Sequence, residues 1–498
     1  MEKSYIEKIW SKESVLQIYL LRFLYNSTEG MRIEELINRL SVDRRTIYKL
    51  VVKLQELIKE ESYEIRVSDQ GVYCFIGDKI DYYTLRGKII EQEVMLFLVK
   101  RLLVQKTVNI SEICNTNFLS ESTFKRYLGR ANTLLEPLEL KLRVRKNEVY
   151  IEGRENIIRY SLFTLFWRSY HGVVWPFESI EESKIERAIS QFYSNELSIS
   201  QGKIKQFSYF LAVNILRNEA GNKIKRENLP RYTHSLIQNA PLFPVFFQAL
   251  KDYFNLDICE IEFLFLCLYT FPESFRYLQN ISIILEILEK EGKDTYKSLR
   301  HFLFFIKERH PDFNVKSEEK FLFVSLIISS RIFVDVFHGI YFNSSNLLIF
   351  KYTKEHFPNL LPSIEKGIED FETELSSSAL RGLVLRYAQA YVTEFPPQDF
   401  EPEIFILLTT DLPVYLDIVM KRRLVSILSD KFNIVWLTQE QNIMPDLLLS
   451  TGIINKRYKK ISHIYLNAEI TAKDTHLIIK QCEKIVAYKR NKLGSLES

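Results

Sequence analysis

Between Met31 and Leu57 the apolar residues fall on two short helical faces. Ile33, Leu36, Ile37 and Leu40 form one; Ile47, Leu50, Val51 and Leu54 form the other, at the i, i+3, i+4, i+7 spacing of a helix. Ser41-Val42-Asp43 separates them. Asp43 suits the N-cap of the second helix, because its carboxylate accepts from N–H groups that the first turn leaves unpaired. Two amphipathic helices joined by so short a turn predict a helix-turn-helix. Further on, Ile65 and Val67 alternate with polar residues, Asp69-Gln70-Gly71 signals a turn, and Val72 and Cys74 resume the alternation. This predicts a β-hairpin, the wing of a winged helix.

The same pattern returns 77 residues later. Ile33, Glu35, Leu36 and Ile37 correspond to Ile110, Glu112, Ile113 and Cys114, and Val42 with its neighbouring cap Asp43 to Leu119 and Ser120. Thr46, Ile47 and Lys49 correspond to Thr123, Phe124 and Arg126. The hairpin positions Ile65, Val67 and Val72 correspond to Leu142, Val144 and Val149. Agreement over two helices and a hairpin predicts two tandem winged helices, residues 1–82 and 83–160.

Residues 161–397 read as a succession of aromatic-rich helical segments, such as Gln206–Arg217, Ile258–Thr270 and Lys320–Phe337, broken at prolines. Two helical bundles are predicted, 161–280 and 281–397, each of ordinary domain size. After Pro396-Pro397 the pattern changes. Glu403–Thr409, Asn433–Leu437, Asp446–Leu449 and Ile461–Asn467 are strand-like, with helices at Val414–Asp430 and near Lys473–Tyr488. Residues 398–498 are therefore expected to form a small, largely parallel α/β domain. The loop after its first strand, Thr409-Thr410-Asp411-Leu412-Pro413, has no Gly, no Cys and one acid, which disfavours phosphate binding there. The predicted fold class is a mostly α, multidomain chain.

Low Gly (15) and Pro (14) with abundant Phe (35) and Tyr (27) agree with packed helical domains and exclude a disordered or disulfide-scaffold chain. The 67 Lys and Arg against 63 Asp and Glu leave only +4, so any nucleic-acid contact has to come from local clustering. Such clusters lie off the apolar faces of the two second helices: Arg44, Arg45, Thr46, Tyr48 and Lys49 in the first copy, Ser122, Thr123, Lys125, Arg126 and Arg130 in the second. Lys141, Arg143 and Arg145 alternate with Leu140, Leu142 and Val144, which puts three cations on one face of the second wing. These side chains suit phosphates and base edges in a major groove. From 120 to 146 seven cations stand against three carboxylates.

The five cysteines form no CxxC pair and the eight histidines have no ligand spacing, so no metal site, disulfide framework or cofactor is expected. No apolar leader opens the chain, and its most hydrophobic run, Phe321–Ile328, is too short to span a bilayer, so the expected location is the cytoplasm, off the membrane. Among the histidines, His338 closes a long apolar helix where the chain turns; it is the candidate for control by charge or by a phosphoryl group.

This order of parts, anchored on Leu40-Ser-Val-Asp-Arg-Arg-Thr-Ile-Tyr48 and Leu119-Ser-Glu-Ser-Thr-Phe-Lys-Arg126, resembles the Mga/AtxA family of virulence regulators of Gram-positive bacteria. The resemblance implies a DNA-binding transcriptional activator of the global type, not an enzyme. Its bundles would be similar to regulatory domains of the sugar phosphotransferase system, and its last domain to an enzyme IIB subunit serving homodimerisation. The implied partners are double-stranded promoter DNA, a second copy of the chain and phosphotransferase-system proteins. Two departures stand out. Leu211-Ala-Val-Asn214 and Leu264-Phe-Leu-Cys267 lack the histidine of the family's Leu-x-x-His phosphoacceptor motifs, and Thr409 and Thr410 stand where enzyme IIB carries cysteine. The alternative class is an RNA-binding antiterminator with the same bundles. Its readers splay bases on an exposed aromatic sheet, for which the sequence offers no pattern.

Overall fold

The computed structural model describes residues 9–192, 200–278, 280–313, 320–338, 340, 353, 355–372, 374–438, 441 and 443–494. The chain divides into two compact units, one drawn from Met1–Arg300, Ile328–Leu347 and Glu374–Gly382, the other from His301–Ile327, Leu348–Thr373 and Leu383–Ser498. Helices dominate both, so the chain is mostly helical and multidomain, as expected.

The first unit opens with two heads of one design. The first head contains α1 (Lys12–Tyr25), β1 (Met31–Arg32), α2 (Ile33–Leu40), α3 (Arg44–Leu57), β2 (Glu64–Val67) and β3 (Val72–Ile76), and is followed by α4 (Lys79–Glu91). The second contains α5 (Val94–Val104), β4 (Val108–Asn109), α6 (Ile110–Thr116), α7 (Glu121–Leu135), β5 (Lys141–Arg145) and β6 (Glu148–Glu152), and is followed by α8 (Glu155–Tyr170). Each head closes a three-stranded antiparallel sheet with the same strand order, β1-β3-β2 and β4-β6-β5. Ile47, Leu50, Val51 and Leu54 of α3 are buried, as are Phe124, Leu128, Ala131 and Leu134 of α7.

The repeat extends to backbone conformation. Ser41 (φ 55°) and Phe118 (φ 52°) both turn the chain through the left-handed region between the two helices of their motif. For a bulky side chain this is a sparsely populated conformation, and Phe118 stands 96% exposed there. The offset shortens by one residue in the wing. The first hairpin turns through Ser68–Gly71, whereas the second uses the two residues Lys146 (φ 49°) and Asn147 (φ 65°). Two positive φ values in a two-residue loop are the I′ geometry that matches strand twist.

The segment α4 packs on α8. The buried Arg86 guanidinium donates to the carbonyls of Arg168 and Ser169 (3.2 Å to the latter), in the last turn of α8, and the Tyr170 ring lies against Gly87. Beyond α8 come α9 (Glu182–Phe192), α10 (Gln201–Glu219), α11 (Thr233–Gln238), α12 (Phe243–Tyr253) and α13 (Ile258–Leu268). Both α10 and α13 are buried over most of their length, which is why their sequences read as continuous apolar runs rather than one-sided stripes.

In the second unit β7 (Ile404–Thr409), β8 (Ile434–Leu437), β9 (Leu447–Ser450) and β10 (His463–Tyr465) form a fully parallel sheet in the order β10-β9-β7-β8. Ile404, Ile406, Leu447 and Leu449 pack with Leu424 of the helix Val414–Leu428 and with Ile478 and Cys482 of the closing helix Ala472–Gly494. The opposite face buries Leu407, Leu437, Leu448 and Tyr458. The loop after β7 is occupied by its own side chains. Asp411 Oδ1 accepts from Thr451 Oγ1 at 2.6 Å, and Asp417 Oδ1 from Thr410 Oγ1 at 3.0 Å.

Candidate nucleic-acid interface

Each helix that would read DNA is fixed by its own first turn. At α3, Asp43 Oδ1 accepts from the Thr46 N–H and Oδ2 from the Thr46 hydroxyl, both at 2.9 Å. The Thr46 amide, then its hydroxyl, hold the Asp43 carboxyl below its ordinary range. At α7, Ser120 Oγ accepts from the Thr123 N–H at 3.3 Å and lies 3.0 Å from both Thr123 Oγ1 and Ser122 Oγ. Ser122 and Thr123 thus help to close the cap.

Arg44, Arg45, Tyr48 and Lys49 are exposed on α3, and Ser122, Lys125, Arg126 and Arg130 on α7. Several of these cations are already matched. Arg44 Nη2 lies 2.6 Å from Glu34 Oε1, and Lys125 Nζ lies 3.6 Å from Glu121 Oε2. Arg130 turns back and donates from Nη2 to the Trp10 carbonyl at 3.1 Å, so it also anchors the segment before α1. Arg45, Lys49 and Arg126 form no ion pair among the described residues.

The second wing is less basic than its first strand suggests. The register pairs Lys141 with Glu152, Arg143 with Tyr150 and Arg145 with Glu148. Directly opposed residues of an antiparallel pair share a face, so the three cations share theirs with two carboxylates. Arg143 Nε lies 2.7 Å from Glu152 Oε2. The expected excess of cations stopped at 146; carried through the return strand to 152, seven cations face five carboxylates. Lys141 and Arg145 remain without an ion pair among the described residues. Lys146, at the turn, joins them, a residue that sequence reasoning counted but did not single out. The turn itself is pinned to the start of α6, where Asn147 Nδ2 donates to Ser111 Oγ (2.9 Å) and the Asn147 carbonyl accepts from the Ile110 N–H (2.9 Å).

His338 lies away from these surfaces. It ends the helix Phe321–Phe337 with φ 51°, and its Nε2 meets the Nη1 of Arg154, the residue that caps α8 straight after the second wing. Burial, then the Arg154 charge, hold the imidazole below its ordinary pKa.

Behind Arg154 the second head is tied to the bundle by a buried ion network that the sequence reading missed. Arg159 is fully buried, and its five N–H groups are all used. Nε reaches Glu155 Oε1 (3.1 Å), Nη1 reaches Glu260 Oε2 (2.5 Å) and Asn214 Oδ1 (3.2 Å), and Nη2 reaches Glu260 Oε1 (3.0 Å) and the Asn222 carbonyl (2.7 Å). Arg217 donates to both Glu155 oxygens (2.8 and 2.6 Å) and to the Leu102 carbonyl of α5 (2.7 Å). Asn214, the last residue of Leu211-Ala-Val-Asn214, is held inside this network.

Among the described residues no group of side chains is arranged to hold a metal ion, and no helix is long and apolar enough to cross a membrane.

The paired capped helices and wings define a helix-turn-helix protein. Residues 78–166 match the Mga helix-turn-helix domain, a span that takes in α5 to α7, the second wing and most of α8. The chain is also 19% identical over 311 residues to the capsule synthesis positive regulator AcpB of Bacillus anthracis, with 62% of each protein covered. Both matches support a relation of the chain to Mga-type transcriptional regulators.

Proposed function

We propose that the chain regulates transcription by binding duplex promoter DNA through both heads, the second making the larger electrostatic contribution. The observation that carries this reading is the set of exposed cations without ion pairs among the described residues, Arg126, Lys141, Arg145 and Lys146, gathered on the capped helix α7 and its wing. Ser122, Thr123 and Lys125 flank them, and Arg143 contributes once DNA competes with Glu152. In the first head Arg45 and Lys49 play the same part, beside Arg44, Thr46 and Tyr48.

The reading extends to activation, in line with the Bacillus anthracis relative, a positive regulator of capsule synthesis. It extends also to self-association through the C-terminal α/β domain. The helix Val414–Leu428 leaves Val414, Tyr415, Ile418 and Val419 between 47% and 77% exposed, a solvated apolar stripe of the kind that a second copy covers. Control by phosphotransferase-system proteins would act on His338, where an added phosphoryl group would face the Arg154 guanidinium.

The test is a gel shift of the full chain with duplex DNA and with structured RNA over a salt series. Duplex is expected to be retained in preference to RNA, with affinity falling roughly 0.9 log units per log unit of salt for each phosphate neutralised. Preference for RNA, or no duplex binding at low salt, would overturn the reading.

A further inference from the structure

Between Asp446 and Glu469 the chain carries Lys456, Arg457, Lys459 and Lys460 and no carboxylate. Their charge equals the formal +4 of the whole chain, so the rest of the sequence is balanced. The four lie on a short turn ahead of β10, and that turn is fixed from within. Asn455 Oδ1 accepts from the Arg457 N–H at 3.0 Å. The Asn455 carbonyl accepts from the Tyr458 N–H at 2.9 Å, and the Tyr458 carbonyl from the Ile461 N–H at 3.0 Å. Tyr458 is buried with Leu407, Leu437 and Leu448 on one face of the parallel sheet. With that ring planted in the sheet, the cations on either side of it are left exposed. Lys456, Lys459 and Lys460 form no ion pair among the described residues. Exposed cations elsewhere do: Arg66 pairs with Glu64, Lys223 Nζ lies 3.0 Å from Asp257 Oδ2, and Lys225 Nζ 3.7 Å from Glu227 Oε1. Like charges crowded into five positions repel one another, and a polyanion relieves that repulsion.

We propose that this turn of the C-terminal domain is a third contact with duplex DNA, gripping phosphates without reading bases. The inference rests on the duplex reading of the two heads and adds a site to it. Three of the four cations are lysines, compact point charges that suit a phosphate. The guanidinium of Arg457 leans on the Tyr458 ring, 5.6 Å from its centroid. Phosphate contacts position a protein on the duplex but carry no sequence information. An acidic protein segment has the right sign, but a duplex presents charge more densely, one per roughly 1.7 Å of its axis. Because the turn is already held by its own backbone bonds, little of it remains to be ordered on binding.

The test is fluorescence anisotropy of the full chain with a random-sequence duplex over a salt series. The first variant combines Lys456→Ala, Arg457→Ala, Lys459→Ala and Lys460→Ala and leaves Tyr458 in place. It should lower the slope of log affinity against log salt by roughly 2 to 3 units, at about 0.9 per phosphate released, and weaken low-salt binding about tenfold or more. The control combines Lys223→Ala, Lys225→Ala, Lys290→Ala and Lys297→Ala, which removes equal charge from exposed positions elsewhere. Its slope should change by less than about half a unit, and circular dichroism should match wild type for both variants. Equal losses in the two variants, or none in the first, overturn the third contact while wild-type duplex binding keeps the heads. Absence of duplex binding by the wild type overturns both readings. Polyglutamate is the competitor and should displace duplex only in large excess. If it binds the wild type as tightly as duplex and the first variant loses that binding, the turn is a site for acidic protein and the proposal fails.

Discussion

Removing Glu260 should be among the most damaging single changes in the chain. Its carboxylate takes two bonds from Arg159, at 2.5 and 3.0 Å, and one from the Ile224 N–H at 2.7 Å, and both charged partners are fully buried. The network balances two cations, Arg159 and Arg217, against two carboxylates, Glu155 and Glu260. Glu260→Ala leaves a guanidinium with half its charge compensation gone and no access to water. Breaking a buried pair in this way costs about 3–5 kcal/mol. Glu260→Gln keeps the shape but not the charge and should fall near the lower end of that range. The decisive variant is the double one, Arg159→Met with Glu260→Leu, which removes both charges and leaves hydrocarbon of similar bulk. Its cost should be well below the sum of the two single changes, with a coupling of about 2–3 kcal/mol. The assay is equilibrium urea unfolding of the full chain, with hydrogen exchange over α8, α10 and α13 to assign the transition. Additive losses in the double variant, or a loss under about 1 kcal/mol for Glu260→Ala, would refute the argument that mutual compensation holds these charges inside.

Further measurements follow from the same geometry. Arg126→Ala with Arg145→Ala should lower the salt dependence of duplex binding by roughly 1.8 units, while Arg143→Ala, already matched by Glu152, should lower it by less than about half a unit; equal effects from free and matched cations would contradict the interface. Burial drives the His171 pKa down to about 3 from an ordinary 6.5, with Arg86 the next cause, and its ring stacks on Tyr83 at 4.1 Å. Because the native state refuses a proton that the unfolded chain accepts, stability should be level above pH 6.5 and fall by up to about 1.4 kcal/mol per unit below it; urea midpoints at pH 7.5 and 5.5 should converge in His171→Phe. Val419→Asp, in the exposed apolar stripe of the C-terminal domain, should shift light-scattering mass towards the monomer without lowering thermal stability, and an unchanged mass would remove that helix from the contact.

What the sequence made legible was local. Asp43 and Ser120 signal their helices because a cap is a contact between residues two or three apart, and the repeat reinforced each reading with a second copy. The parallel sheet was legible because short apolar runs alternate with helical ones. The electrostatics of the second wing were not. Whether Glu152 opposes Lys141 depends on strand register, which the turn fixes, and a two-residue turn moves every later residue relative to the first copy. Arg130 looked like a contact residue because nothing in its neighbourhood shows that Trp10, 120 positions away, offers a carbonyl. A signal for the buried network was present, since Arg159 and Glu260 each sit between large apolar residues of their helices. A charge in such a place requires a partner, but only the fold says which.

The clamp between Arg86 and the last carbonyls of α8 has a consequence for how the two copies can be separated. A helix end usually settles its own account with water or a nearby glycine, yet here the terminus of one copy's trailing helix is finished by a guanidinium from the other copy's. Duplication has left two modules that are alike in plan but incomplete apart: cutting at 160 would strand a buried cation on one fragment and bare carbonyls on the other. A piece that keeps this clamp reaches at least through Tyr170, and one that also keeps the partners of Arg159 reaches through α13.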